Sequence, residues 1–407
     1  MSGVFSQSQM NLDVLLVILS LAHRQAQSRM MKTCRILCRE GARHLLEEEV
    51  QLSKQARLIS FILFMQRDPQ IRVASLRELV VELDKGISKE TGKMFAKLFI
   101  ELAKAENAGL RHLTLDSSER ILRADRTLPT TIARLTSLTS LSMSDIGPRG
   151  SKLLGELRSC LRRAELAFTG QVLDSRRTEG DWGDLDPIRL LSTSKDTLES
   201  LKVTNSWFTD AGQAVVYPRM VSLAIEDVWL PSTPILHRAF PNLSEIEADH
   251  GAATIPSDVS IADWRTASRA YQHEHGSWRE VQHFEGSSDD LYLLSPLCQI
   301  RRIAFTHNDG DGDASIEADV LHDILSDTRP SHLELVLFLN LNDNLLNQDW
   351  TAALFEHRTP PLQILHIELK VSEEDGWEEV ADLTEALDAL QVALASSSLS
   401  ELELSIE

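Results

Sequence analysis

Cysteine is scarce in this sequence. Four stand in 407 residues, at Cys34, Cys38, Cys160 and Cys298. Scattered through so long a chain, they exclude a disulfide framework as the source of stability. Cys34 and Cys38 share a helix face at i, i+4, but no second Cys/His pair follows at zinc-ligand spacing, so no metal centre is expected. Aromatics are also few, at 5% of residues against 43% apolar in all. Leucine carries most of the apolar content. That composition suits thin stacked layers of aliphatic side chains better than one large globular core.

Long hydrophobic runs are missing too. Residues 14–22 and 58–65 form runs of nine and eight, far below the roughly 20 that cross a bilayer. Residues 1–9 place no positive charge ahead of the first run, so no secretory leader is expected. The expected location is cytoplasmic or nuclear, with no membrane partner. Catalytic signatures are lacking as well. The chain has no phosphate-binding G-x-x-x-x-G-K-[ST], no G-x-G-x-x-G after a strand and no G-x-S-x-G nucleophile elbow. No enzymatic activity and no cofactor are expected. His273-Glu274-His275 lacks the i, i+4 spacing of a zinc protease and reads as a surface loop. Asp309, Asp311 and Asp313 resemble the start of a calcium loop. However, Ala314 stands where that loop needs glycine, and Val320 where a bidentate glutamate belongs. Residues 307–313 therefore read as a solvated acidic loop. The acidic runs at 47–49 and 373–375 read as solvated faces.

Positive charge is in deficit: 41 Lys and Arg face 61 Asp and Glu, for a net charge of −20. The deficit is uneven. Residues 1–60 hold eight basic and five acidic side chains, a net +3, which leaves −23 for the rest. An acidic body repels phosphate backbones, so nucleic acid is not an expected partner. The basic head is expected to meet a different, acidic surface.

What is present is helical at the front and repetitive behind. Asn11 can cap a first helix with Val14, Leu15, Ile18, Leu21 and Ala22 at helical spacing. Residues 24–28 read as a polar break. Met30, Met31, Cys34, Leu37 and Cys38 make a second apolar stripe, Gly41 a stop, and residues 42–52 a third helix. Beyond residue 57 one phrase recurs: a helical stretch, then L-x-x-L-x-L. Its triplets are Leu76/Leu79/Val81, Leu110/Leu113/Leu115, Leu138/Leu141/Met143, Leu161/Ala164/Leu166, Leu198/Leu201/Val203, Met220/Leu223/Ile225 and Leu243/Ile246/Ala248. Later ones are Ile300/Ile303/Phe305, Leu362/Leu365/Ile367 and Leu399/Leu402/Leu404. Trp278/Val281/His283 is a degenerate candidate, and Leu333/Leu335/Leu337 is a strand with a shifted pattern. Helices are predicted over 93–105, after Asp186-Pro187 and Thr233-Pro234, and over 318–325, 350–355 and 383–394. Loops are expected at 169–184, 250–258 and 307–313.

Alternating residues of a strand point to opposite faces. The triplet side chains then enter a core, each worth roughly 1.5–3 kcal/mol on full burial. One repeat cannot cover its own apolar face, so neighbours must stack on it. The implied fold is α/β: a horseshoe-like leucine-rich-repeat solenoid over residues 58–407, with a parallel concave sheet and convex helices. A small all-α module over residues 1–57 precedes it.

That module resembles an F-box. The stretch from Met10 through Leu12, Asp13, Val14 and Leu15 to Ile18, followed by Thr33, Cys34, Arg35 and Leu37, is similar to the family's opening and second-helix patterns. Met10 replaces the usual leucine and Asn11 the usual proline. The repeats are similar in style to those of fungal F-box proteins, including the step Phe240-Pro241-Asn242-Leu243. The resemblance implies that Met10, Leu12, Val14, Leu15, Ile18, Met31, Cys34 and Leu37 bind the Skp-type adaptor of a cullin–RING ubiquitin ligase. It also implies that the repeats hold a protein substrate. On the concave face the expected partner-binding residues are Val80, Glu82, Thr114, Asp116, Ser142, Ser144, Glu165, Lys202, Thr204, Glu226, Thr306, His366, Glu368 and Glu403. They are mixed and mildly acidic, as suits a protein or peptide partner with basic patches. The alternative is a ligase-independent interaction scaffold whose front helices only cap the repeats.

Overall fold

The computed structural model describes residues 11–169, 185–209, 215–229, 233–254, 260–305, 316–339, 348–355, 361–371, 391–392, 394 and 399–406. The chain divides into two compact units, Met1–Leu161 and Arg162–Glu407.

The first unit begins with three helices, α1 (Leu12–Leu21), α2 (Arg24–Met30) and α3 (Arg35–Glu47). Strand β1 (Glu49–Leu52) follows, then α4 (Gln55–Gln66), α5 (Pro69–Ser75), β2 (Glu78–Glu82), α6 (Lys89–Lys104) and β3 (His112–Asp116). Helices α7 (Ser118–Arg123) and α8 (Leu128–Ala133), strand β4 (Ser140–Ile146) and α9 (Pro148–Glu156) complete it. Strands β1 to β4 are parallel and lie side by side in sequence order.

The second unit runs β5 (Arg163–Phe168), α10 (Pro187–Leu190), β6 (Ser200–Thr204), β7 (Ser222–Trp229), α11 (Thr233–Ala239), β8 (Glu245–Thr254), α12 (Ile261–His275) and β9 (Val281–Gly286). It continues through α13 (Ser288–Leu294), β10 (Ile300–Phe305), α14 (Ala318–Thr328), β11 (His332–Leu339), α15 (Gln348–Phe355), β12 (Ile364–Val371) and β13 (Glu401–Ile406). These strands are likewise parallel and in sequence order. A parallel neighbour requires a crossover, and a helix supplies it at most steps, whereas between β6 and β7 no described residue is helical.

Most triplets do in space what their spacing predicts; in the last one, Leu399 is half-buried and Leu402 and Leu404 are exposed, 39% and 38%. From Leu76/Leu79/Val81 to Ile300/Ile303/Phe305 the aliphatic members are buried, and the alternate strand residues between the last two members are not, except Val80 and Ala304. The residue after the first aliphatic forms a second regular feature. Its carbonyl accepts the amide of the equivalent residue in the next repeat: Arg111 N to Arg77 O at 2.8 Å and Thr139 N to Arg111 O at 2.9 Å in the first unit. Val221 to Glu199, Gln282 to Ser244, Gln363 to Ser331 and Ser400 to Gln363 do the same at 2.8–2.9 Å in the second. Buried backbone groups need partners, and this ladder satisfies them at the entry to each strand. Two residues past the triplet the chain turns through a left-handed residue, Ser117, Asp145, Asn205 or Asp227, with φ of 51°, 52°, 54° and 48°. Short polar side chains tolerate that conformation better than branched ones.

Several expectations are corrected. The front helices break elsewhere than predicted: residues 24–28 lie within α2, and the interruption falls at 31–34. Gly41 does not stop a helix. It sits buried within α3, where a Cβ would come 2.5 Å from Met31 Cγ, so close side-chain approach explains the glycine. Residues 49–52 form β1 rather than a helix, a repeat strand hidden because its triplet reads Glu47/Val50/Leu52. The degenerate triplet is displaced: β9 pairs as Val281/Phe284/Gly286, and His283 faces the other way. Gly286 is required because its φ is 154° and a Cβ would meet the Ala248 carbonyl at 2.2 Å. The shifted strand is regular after all, with buried Pro330 preceding Leu333 and Leu335. Residues 250–254 extend β8 instead of looping, and His273 to His275 end α12. The loop at 307–313, Thr306 and most of 383–394 lie outside the described residues.

Candidate functional site

Two surfaces stand out, one in each unit. In the first, α1 starts where Asn11 accepts the Asp13 amide at 3.0 Å. It continues as an almost uninterrupted aliphatic helix. A helix apolar all round is normally buried all round. Here Leu19 is fully buried, but Leu21 is 82% exposed, Val17 57%, and Leu12, Val14 and Ile18 are exposed beside them. Leu15 and Leu16 are half-buried.

The expected adaptor residues therefore separate. Leu12, Val14 and Ile18 are at the surface, with Leu15 at its margin. Leu37 is buried and packs the head rather than its surface; its place on the inner side of α3 was hidden by the irregular break before that helix. Half-buried Met31 lies against Gly41 and Leu19-side atoms of the head. Cys34 is exposed at the start of α3. Met10 lies outside the described residues. Val17 and Leu21 were missed as contact candidates, although the same helical period lists them.

In the second unit the strand face opposite the core carries a continuous row. Register places Glu165, Lys202, Ala224, Glu247, Glu285, Ala304, Glu334, His366 and Glu403 side by side on β5 to β13. Neighbouring strands lie about 4.8 Å apart, and like charges on adjacent strands are unfavourable. Part of this repulsion is offset locally. Arg302 donates to Glu334 at 2.7 Å, His283 Nε2 lies 3.3 Å from Glu285, and His366 Nδ1 lies 3.7 Å from Glu403. Glu247 is exposed. The next row holds Thr204, which donates to Glu226 at 3.0 Å, and Glu368 on β12. Sequence reading found Glu165, Lys202, His366 and Glu403. It missed Glu285 and Glu334 because the β9 triplet is displaced and the β11 triplet opens with Pro330 in place of an aliphatic, and it left out Glu247 although that residue lies between Ile246 and Ala248 of a regular triplet.

The equivalent face of the first unit is closer to neutral. Gln51, Val80, Thr114 and Ser142 form one row, and Glu82 and Asp116 the next. Val80, expected to face a partner, is buried. Gln51 donates to Glu82 at 2.8 Å, and Ser144 donates to Asp116.

Among the described residues no group of three His, Cys, Asp or Glu side chains could hold a metal ion. Cys298 is buried, and desolvation pushes its thiol up to about 12, which makes it a poor nucleophile. Trp278 is buried and donates to the Phe240 carbonyl at 2.9 Å. Trp182 lies outside the described residues, and Trp207 is half-buried. Among the described residues no helix is long and apolar enough to cross a membrane. No protein-family model matches this chain, and no curated protein matches it either.

Proposed function

We propose that the chain is the substrate-recognition subunit of a cullin–RING ubiquitin ligase, acting in the cytoplasm or nucleus. In this reading residues 1–57 are an F-box-type head that binds the Skp-type adaptor, and the repeats curve into a horseshoe that holds a protein substrate. The observation that carries it is the apolar surface of α1, with Val14, Val17, Ile18 and Leu21 turned to solvent. Burying such side chains in a complex is worth roughly 1.5–3 kcal/mol each. The head's excess of basic residues, Arg29, Lys32, Arg35 and Arg39 among them, suits an acidic partner. The glutamate row from Glu165 to Glu403 suits a substrate segment rich in Lys or Arg. The chain itself performs no chemistry. Holding a substrate lysine near the charged conjugating enzyme raises its effective concentration.

The test is recovery of the Skp-type adaptor with the full chain. Wild type binds, and Val14→Asp with Ile18→Asp, both surface changes, does not, while circular dichroism stays native. Equal recovery by both proteins sinks the proposal.

A second reading has an observation of its own. Strand β1 pairs with β2, and the Leu46 carbonyl accepts the Arg77 amide at 3.0 Å, so the front helices run straight into the first repeat. They then serve as a cap on a ligase-independent scaffold. Removing residues 1–48 separates the readings: a pure cap exposes the repeats to aggregation but leaves no adaptor interaction to lose.

A further inference from the structure

Where the front helices meet the first repeat, the first unit forms an open pocket of about 660 Å³. That volume falls within the roughly 300–1,000 Å³ typical of small-molecule sites. Its floor is apolar: Phe61 and Phe64 of α4, Leu45 of α3, Val50 of β1 and Met31. Its charged lining is lopsided. Arg24, Lys32, Arg67 and Arg72 face it, against the single carboxylate of Glu49.

These cations differ in their surroundings. Arg24 is neutralised by Glu48 at 2.8 Å and donates to the Glu49 carbonyl. Among the described residues no carboxylate lies within ion-pair distance of Lys32, Arg67 or Arg72. Arg72 is the unusual one. It is 5% exposed, its guanidinium lies 3.9 Å over the Phe64 ring, and it donates to the Phe64 carbonyl. Burial holds this guanidinium below the ordinary arginine range, with Cys38 and the Asp68 carboxylate, beyond ion-pair distance, opposing the effect and Arg67 adding to it. A guanidinium offers five donors, and a buried charge without a counter-ion is costly. An arginine spread over an aromatic face, at the base of an apolar cavity with two further unpaired cations at its mouth, matches an anion that carries a hydrophobic body.

We propose that this cavity binds a small organic carboxylate with an apolar body. The carboxylate meets Arg72, Lys32 and Arg67, and the body lies on Phe61, Phe64 and Val50. Because the cavity wall joins α2 and α3 to β1, α4 and α5, an occupant also stiffens the junction of the front helices with the repeats. The pocket shares Met31 and Lys32 with the surface assigned to the adaptor, but ligand binding is read with no adaptor present, so the two readings stand or fall separately.

The probe is the fluorescent anion 1-anilinonaphthalene-8-sulfonate, titrated into the full chain and displaced by decanoate. Saturable binding, displacement by decanoate and none by decanol are expected. Lys32→Glu with Arg67→Glu, both exposed positions, weakens decanoate by about tenfold or more. Probe binding to the exposed face of α1 is a separate event, so Val17→Ser with Leu21→Ser is expected to leave displacement unchanged. Equal displacement by decanol, undiminished affinity in the charge-reversed protein, or loss of the signal with the α1 changes would each overturn the site.

Discussion

Helices α1 and α6 stand in the same unit, both rich in large apolar residues, and they dispose of those residues in opposite ways. In α6, Phe95, Ala96, Leu98, Phe99 and Leu102 are all buried, on one stripe of a helix whose other positions are largely Lys and Glu. In α1 the apolar residues run round the whole helix, and only Leu19 is fully buried. A helix whose apolar stripe matches the available core packs and is finished. A helix with more apolar surface than the core can receive keeps the remainder in water, and it is this exposed aliphatic surface that the proposed adaptor would cover.

The contrast can be broken or sharpened by substitution. The largest effect is expected for Phe99→Ala, about 3–5 kcal/mol on unfolding of the first unit, from lost burial and the cavity left behind. Urea denaturation followed by hydrogen exchange at residues 11–161 would measure it, since that unit has no Trp or Tyr to serve as a fluorescent reporter. Leu19→Ala should cost about 2–3 kcal/mol and loosen α1 alone, because Leu19 is its one fully buried anchor. Hydrogen exchange confined to residues 12–21 is the expected readout, and global destabilisation without local loosening would contradict it.

Helix caps extend the comparison to the second unit. Asp186 is fully buried, caps α10 through the Ile188 amide at 3.0 Å and accepts from Thr209 at 2.7 Å. Desolvation pushes its carboxyl above the ordinary range. The folded chain therefore holds this proton more tightly than the unfolded one. Its contribution to stability is full below the ordinary carboxylate range and is lost as pH rises through the raised value. Asp186→Ala should cost about 1–2 kcal/mol, whereas Asp186→Asn keeps the cap and flattens that pH dependence. Stability of the two variants at acid and neutral pH checks both.

Smaller effects return to the original pair. Ser88→Ala, which removes the 3.2 Å cap on Thr91, should cost about 1 kcal/mol, and Asn11→Ala on exposed α1 less than that. Last comes Val17→Ser with Leu21→Ser, expected to change stability by no more than about 0.5 kcal/mol. A large loss there would mean that the exposed face of α1 serves folding after all.

Legibility followed chemistry closely where the repeat was regular. The triplets at 110–115 and 198–203 were readable because three aliphatics at fixed offsets have one sensible arrangement in a stacked strand. At β9 the same offsets were obscured. Trp278 is buried by virtue of its indole hydrogen bond to Phe240, so it imitates a triplet member, while Gly286 takes the last position with no side chain at all. At the head, Gly41 looked like punctuation and proved to be clearance for Met31.

By itself, then, the sequence determined the parallel α/β repeat and most of the side chains that line its core, because the two-residue alternation of a strand and the need of each repeat for a neighbour leave little choice. Tertiary structure decided the rest. Only the register of adjacent strands brings Glu247, Glu285 and Glu334 into one row, only packing sorts Leu37 into the head and Ile18 onto its surface, and only the meeting of α3, β1, α4 and α5 encloses Arg72 over Phe64. Strand register and the packing of the head join residues far apart in the chain, and no local spacing encodes them; Arg72 and Phe64 are only eight residues apart, but the walls around them come from α3 and β1.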